Sequence, residues 1–252
     1  MRRPKWSTLL TVAAFIMAGI LVLMAIFANA VVAEYAALLS FVLVVLIVLV
    51  IFAKFEESAM TSREVALIGI LAAITAAARI PFAAIPNVQP CTFLIIAIGL
   101  VFGSLAGAMV GSLTAALSNI FLGQGPWTAW QMVAWGATGM IAGYIGKKFP
   151  GYSVKDLIIL GILLGEMFQL IMDFSSWVTF YGAKPDLFIP TFVMGIPFAI
   201  MHIVGNVIFA AALGAPVLVL FRRFHKRFHV QYETPQVGPP DKEEPSLGNS
   251  MD

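Results

Sequence analysis

The sequence predicts an all-α membrane protein with about eight transmembrane helices, a six-helix core preceded by an N-terminal helical hairpin. Composition, the lengths of the apolar runs and the placement of the cations each predict it. Hydrophobic residues fill 60% of the 252 positions and charged residues only 11%, under half of the roughly 25% usual in soluble domains. In water such a chain would expose large apolar patches. Runs that meet or approach the about 20 apolar residues needed to span a bilayer lie at 8–29, 35–53, 63–79, 91–102, 105–122, 127–146, 156–175 and 197–221. With eight spans and a cytoplasmic N-terminus, the inner side holds Arg2, Arg3, Lys5, Lys54, Arg63, Lys147, Lys148, Lys155, Arg222, Arg223, Lys226, Arg227 and Lys242. The outer side holds only Arg79 and Lys184. This is a strong positive-inside bias. With seven spans, Lys147, Lys148 and the Arg222–Arg227 cluster would leave the side of Arg2 and Arg3. Both termini are therefore expected in the cytoplasm of a multi-pass plasma-membrane protein.

The first two runs form a retained hairpin. The N-terminus resembles a secretory signal, with a basic flank and Ala28-Asn29-Ala30 after an apolar stretch. That stretch, Leu9 to Ala28, exceeds the 7–15 residues of a signal core, so cleavage is the alternative reading. Lys54-Phe55-Glu56-Glu57-Ser58 makes a charged linker. Residues 1–60 are thus hairpin and linker, 61–221 a six-helix core, and 222–252 a basic flank and tail. The fourth run is short, and Phe102-Gly103-Ser104 is the only plausible turn separating it from the fifth. After the last span, FRRFHKRFHV suits anionic lipid headgroups rather than nucleic acid. The final 20 residues, from Glu233, hold four prolines and five acidic residues with no apolar run, which predicts a disordered cytoplasmic tail. The halves of the core show no internal repeat, which weighs against duplicated transporter folds. Cys91 is the only cysteine, so there is no intramolecular disulfide framework.

Polar and aromatic residues concentrate in the outer half of the core. Arg79-Ile-Pro-Phe-Ala-Ala-Ile-Pro-Asn87-Val-Gln89-Pro90 carries three prolines, which break a helix and suit either a semi-rigid lid or an ordinary connector. A second block runs from Ser118-Asn119 through Gln124 to Trp127, Trp130, Gln131, Trp135 and Gly136. An interfacial belt accounts for Trp127 and Trp130. Trp135 lies about 12 Å deeper at 1.5 Å per residue. Trp127, Gln131 and Trp135 are four apart and share a helix face, a surface suited to a large, flat, partly polar ligand. On the seventh run Glu166, Gln169, Asp173 and Trp177 form another stripe. A mid-membrane carboxylate must face protein or water. Glu166 is expected to be structural, hydrogen-bonded in the bundle or paired with His202, which lies four before Asn206; proton coupling is the other reading. Asp173 and Trp177 are better ligand contacts. The candidate substrate-binding set is therefore Arg79, Asn87, Gln89, Asn119, Gln124, Trp127, Trp130, Gln131, Trp135, Gln169, Asp173 and Trp177.

Enzymatic readings find little. No His, Cys or carboxylate spacing supports zinc, and Ser112, Ser118 and His202 suggest a hydrolase by residue type alone. No Walker A motif is present, so any ATP is used by another chain. Small residues at four-residue spacing, Gly69-Ala73-Ala77 and Ala72-Ala76 on the first core helix and Gly107-Gly111-Ala115 on the third, permit close helix approach in lipid.

The alanine-rich first core helix, the Arg79–Pro90 loop, the glycine-rich third helix and the block SNIFLGQGPWTAWQMVAWG together resemble the substrate-binding membrane subunits (S-components) of energy-coupling factor vitamin transporters. The resemblance covers about Thr61 to Phe221. It implies a six-helix pocket open to the outside, capped by loops, with no enzymatic activity and no permanently bound cofactor. It also implies a membrane coupling protein docked on Ala72, Ala73, Ala76 and Ala77, and two cytoplasmic ATPase subunits that topple the subunit to release substrate inward. The hairpin departs from the six-helix pattern, and its placement against the docking face would put that coupling in doubt. The tryptophan-rich block looks most like cobalamin or related corrinoid types, with a flavin, thiamine or queuosine-type precursor as alternatives. A proton-coupled secondary transporter and a membrane scaffold that transports nothing stay open.

Overall fold

The computed structural model describes residues 6–26, 30–58 and 60–229. These form eight α-helices: α1 (Trp6–Ile26), α2 (Ala30–Glu56), α3 (Ser62–Arg79), α4 (Cys91–Phe102), α5 (Ser104–Leu122), α6 (Trp127–Lys148), α7 (Val154–Thr179) and α8 (Phe188–His229). Short 3-10 turns follow α3 and precede α8. Four segments are long and apolar enough to cross a membrane, Ser62–Phe82, Ser104–Leu122, Val154–Thr179 and Pro185–Arg227, and Cys91–Phe102 is a shorter apolar helix. The chain is a multi-pass membrane protein. The expected tail and the Asn29 position of the signal-like sequence lie outside the described residues.

Local chemistry sets the helix ends. Thr61 and Glu64 form a capping box at the start of α3, and Ser153 and Asp156 form another at α7. Each supplies partners to backbone N–H groups that a helix start leaves unpaired. Between α4 and α5 the break is Gly103 alone, at φ +93°, a backbone region that glycine enters without steric cost. Gly99 and Gly107 then face each other four residues to either side, so the chain reverses there.

Close backbone contact builds the α4–α5–α6 half. A Cβ on Gly107 or Gly139 would collide with the backbone of the other, and one on Gly111 would strike the Trp135 carbonyl. Gly99, Gly143 and Gly146 are equally tight against neighbouring backbone. Helices in lipid gain from such approach because dispersion, not the hydrophobic effect, holds them.

α8 departs from the expected 197–221 at both ends. It is 42 residues long with Pro197 and Pro216 in its interior, about 63 Å at 1.5 Å per residue against a ~30 Å hydrocarbon layer. Pro190 sits in the first turn, where the missing N–H has no partner to lose, and interior prolines are tolerated in membrane helices whose neighbours satisfy the freed carbonyls. Its basic end is anchored through Arg222, which donates to the Tyr152 carbonyl at 2.6 Å with its guanidinium 4.6 Å from the Tyr152 ring centroid.

The hairpin is pinned at its open end. Glu57 accepts from the Ser7 backbone N–H at 2.8 Å and from its hydroxyl at 2.6 Å, capping α1 with an anion where the helix dipole favours one. α2 lies along α5, α6 and α7, with Ile51 reaching Gly136. Among the described residues α2 makes no comparable contact with α3.

Candidate functional site

A cavity of about 310 Å³ opens among α3, α6, α7, α8 and the loop after α3. Its floor is a column of rings. Trp135 stacks on Phe168 at 4.8 Å between centroids, and Phe168 stacks on His202 at 5.0 Å. Thr92 ties the two ends: the Trp135 indole N–H donates to Thr92 Oγ1 at 2.9 Å, and Thr92 Oγ1 lies 3.0 Å from His202 Nε2. Indole only donates, so Thr92 Oγ1 accepts there, while the direction of its contact with His202 Nε2 follows the imidazole tautomer. The Arg79 guanidinium lies 5.0 Å from the Trp135 ring centroid, within cation–π range.

One wall is organised by Arg79. Its Nε donates to Gln89 Oε1 at 2.6 Å, and one terminal nitrogen donates to Ser118 Oγ and Asn119 Oδ1, both at 2.8 Å. Asn119 Nδ2 in turn donates to Thr128 Oγ1 at 3.0 Å and Gln131 Oε1 at 2.7 Å. The opposite wall is organised by Asp173, buried on α7. Gln169 Nε2 donates to its Oδ1 at 2.7 Å, and Asn87 Nδ2 donates to Gln169 Oε1 at 2.8 Å and to the Phe198 carbonyl at 3.2 Å. Asn87 adopts φ +59°, a left-handed conformation that asparagine tolerates better than most residues. It thereby ties the Pro-rich loop to both α7 and α8. Gly195 makes room for Asp173, since a Cβ there would strike the carboxylate.

Seven of the twelve expected site residues line the cavity: Arg79, Asn87, Gln89, Gln131, Trp135, Gln169 and Asp173. Asn119 stands behind them, holding Arg79 and Gln131. The other four lie elsewhere. Gln124 is exposed and donates to the Ala116 carbonyl at 3.0 Å. Trp127 opens α6 and its ring folds over Gly125. Trp130 is buried edge-on against Phe174 at 5.8 Å. Trp177 donates to the Lys184 carbonyl at 2.7 Å and packs between Phe174 and Phe188. The shared face expected of Trp127, Gln131 and Trp135 therefore breaks at its first member, and Trp135, 1% exposed, spends its ring on the internal column. Glu166 is half-buried and outside the cavity, and its expected pairing with His202 is replaced by the Thr92 contact. Ser112 donates to the Met132 carbonyl and Ser118 serves Arg79, so neither joins His202 in a dyad.

The cavity also recruits residues outside the expected substrate-binding set. Met194, Phe198 and His202 line it at four-residue spacing along α8, as do Phe168, Met172 and Ser176 along α7. Tyr181 and Thr191 close the rim. On α3 the alanines divide: Ala72 and Ala76 are buried in the bundle at 0% and 5% exposure, while Gly69, Ala73 and Ala77 face outward. Ala72 and Ala76 are therefore not available to an external partner.

Residues 59–219, well over half of the chain, match the family described as ECF-type riboflavin transporter, S component. The chain belongs to this S-component family. The match opens at the junction after α2, so the hairpin lies outside it. No solved structure matches the chain. An S-component is the substrate-specific subunit of an energy-coupling factor transporter, a family of transport proteins rather than an enzyme class, and it implies partner ATPase and T components together with a vitamin substrate.

Proposed function

We propose that this S-component captures a riboflavin-type vitamin from the outer side of the membrane for ATP-driven uptake. The observation that carries this reading is the cavity itself. Its volume of about 310 Å³ falls at the small end of the ~300–1,000 Å³ range of ligand sites. That suits a three-ring heterocycle with a short chain, not a corrinoid with several times as many atoms. Aromatic and thioether groups (Phe168, Phe198, Met172, Met194) alternate in the lining with four amides, the mixture that holds a flat, polar-edged ring. Trp127 and Trp130, two of the three tryptophans of the block that resembles corrinoid types, lie outside it. The family's description, naming riboflavin, adds independent support.

In this reading the termini are cytoplasmic, and two cytoplasmic ATPases act through a membrane coupling protein. Gly69, Ala73 and Ala77, exposed at four-residue spacing, form its docking stripe. The absorbance spectrum and mass of the co-purifying molecule test the reading. A flavin spectrum near stoichiometric amounts is expected. A corrinoid spectrum, or no thermal shift with any flavin, would overturn it.

A further inference from the structure

We infer that the two walls of the cavity present opposite hydrogen-bond polarity, so that one wall reads the acceptor edge of a flavin ring and the other a neutral polyol chain, excluding phosphorylated forms. The inference rests on the flavin reading and specifies how that ligand lies and which form of it enters.

The sorting follows from the two charged groups. A guanidinium has donors only and a carboxylate acceptors only, so each fixes the amide next to it, and that amide fixes the next. Arg79 claims Gln89 Oε1 and Asn119 Oδ1. Asn119 must then turn its amino group outward, and it claims Gln131 Oε1. What Gln89 and Gln131 have left for the cavity is their NH₂ groups, neither of which has a hydrogen-bond partner among the described residues. On the other wall Asp173 draws the Gln169 amino group. Gln169 Oε1 then draws the Asn87 amino group, whose second hydrogen goes to the Phe198 carbonyl. What this wall has left is Asn87 Oδ1 and the second oxygen of Asp173. Reversing any one amide would set like against like along its chain, so the polarity does not depend on which way a single side chain is drawn.

The edge of an isoalloxazine ring is rich in carbonyl and ring-nitrogen acceptors and suits the Gln89–Gln131 wall. A ribityl chain carries hydroxyls, which unlike ring carbonyls can donate as well as accept, and so suits the Asp173 wall. A terminal phosphate on that chain would bring a dianion against a buried carboxylate, an arrangement that like-charge repulsion opposes strongly.

Flavin fluorescence quenching by the purified full-length chain in nanodiscs tests this with riboflavin, riboflavin 5′-phosphate and lumiflavin, which replaces the chain with a methyl group. Riboflavin is expected to bind at least about tenfold more tightly than either analogue, the scale of losing one or two buried hydrogen bonds. Equal affinity for the 5′-phosphate or for lumiflavin overturns the inference and leaves the flavin reading standing. Absence of binding by all three overturns the flavin reading itself. Two variants separate the walls. Asp173→Asn is expected to narrow the riboflavin preference over the 5′-phosphate to within about threefold. Asn119→Asp, which turns the Gln131 oxygen toward the ligand, is expected to weaken riboflavin and lumiflavin by the same factor and leave that preference intact. If Asn119→Asp changes the preference and Asp173→Asn does not, the assignment of walls is wrong.

Discussion

The α5–α6 contact and the α7–α8 contact solve the same problem in lipid by different means. Where α5 crosses α6, Gly107 meets Gly139 and Gly111 meets the Trp135 carbonyl, backbone to backbone. Where α7 runs beside α8, two glycines serve side chains instead: Gly165 faces His202 and Gly161 faces Asn206, whose Nδ2 donates to the Gly161 carbonyl at 3.1 Å. Above that level Asp173 fills the space that Gly195 leaves, and the helices part around the cavity. The first contact has no room for a ligand and the second is polar because it has. Rigidity on one side gives the other a fixed surface: Trp135, held by the α5–α6 seam, is the end of the ring column that floors the site.

Substitutions that separate the two contacts test this division. Gly139→Leu is expected to have the largest effect, because its side chain would run into the Gly107 backbone. Overpacking of a close seam costs about 1–3 kcal/mol or more, and against backbone the upper end or beyond is expected. Loss of a monodisperse peak in size-exclusion chromatography would show it. Gly69→Leu, with nothing within 4 Å of a new Cβ, is the control and should purify as the parent does. If both variants behave alike, backbone contact is not what closes the seam.

Trp135→Ala follows in size. It removes the ring between Arg79 and Phe168, a change of about 3–5 kcal/mol for a large aromatic in a core. It is also expected to weaken flavin binding at least tenfold, about 1.4 kcal/mol. A thermal melt and a titration on the same sample separate these effects. Unchanged affinity would remove the ring column from the site. Thr92→Val is smaller still. It keeps the shape and leaves the Trp135 N–H and His202 Nε2 unpaired, each worth about 1–3 kcal/mol when buried. A melting temperature equal to the parent's would mean that Thr92 does not tie the column.

Much of this architecture is legible in the sequence because a membrane helix advertises itself by length, and because polar residues are costly there. Arg79, Asn87, Gln89, Gln131, Gln169 and Asp173 stand out as polar residues gathered in the outer half of the core, and all line the cavity. Tryptophan carries no such signal. Its indole is satisfied by an interface, a carbonyl or another ring, so residue type alone does not separate Trp127, Trp130 and Trp177 from Trp135, and only the greater depth of Trp135 sets it apart from the first two. The apolar lining was hidden for a related reason. In lipid, inward and outward faces are both hydrophobic, so Met194 and Phe198 look like any lipid-facing residue. Their regular spacing with His202 is further obscured because the apolar run begins at Pro197, whereas α8 starts at Phe188 and carries Pro197 in its interior.

The smallest effect on the isolated subunit is expected from the α3 surface, and there the comparison extends to a partner. Ala72 and Ala73 are adjacent and chemically identical, yet one is fully buried and the other exposed. Ala72→Leu should overpack the α3 contact with the bundle and lower the melting temperature, by the same reasoning as at Gly139 but against side chains that can yield. Ala73→Leu should leave stability within about 0.5 kcal/mol, as surface changes usually do, and leave flavin affinity at the parent's value. Its expected consequence lies in uptake, since a leucine on the Gly69-Ala73-Ala77 stripe would hold a docking helix away. Uptake of labelled flavin by cells carrying the ATPase and T components, measured beside binding by the purified variant, reads the two separately. Uptake lost with binding intact places the docking stripe on the outward alanines. Parental uptake would move it to another face of α3.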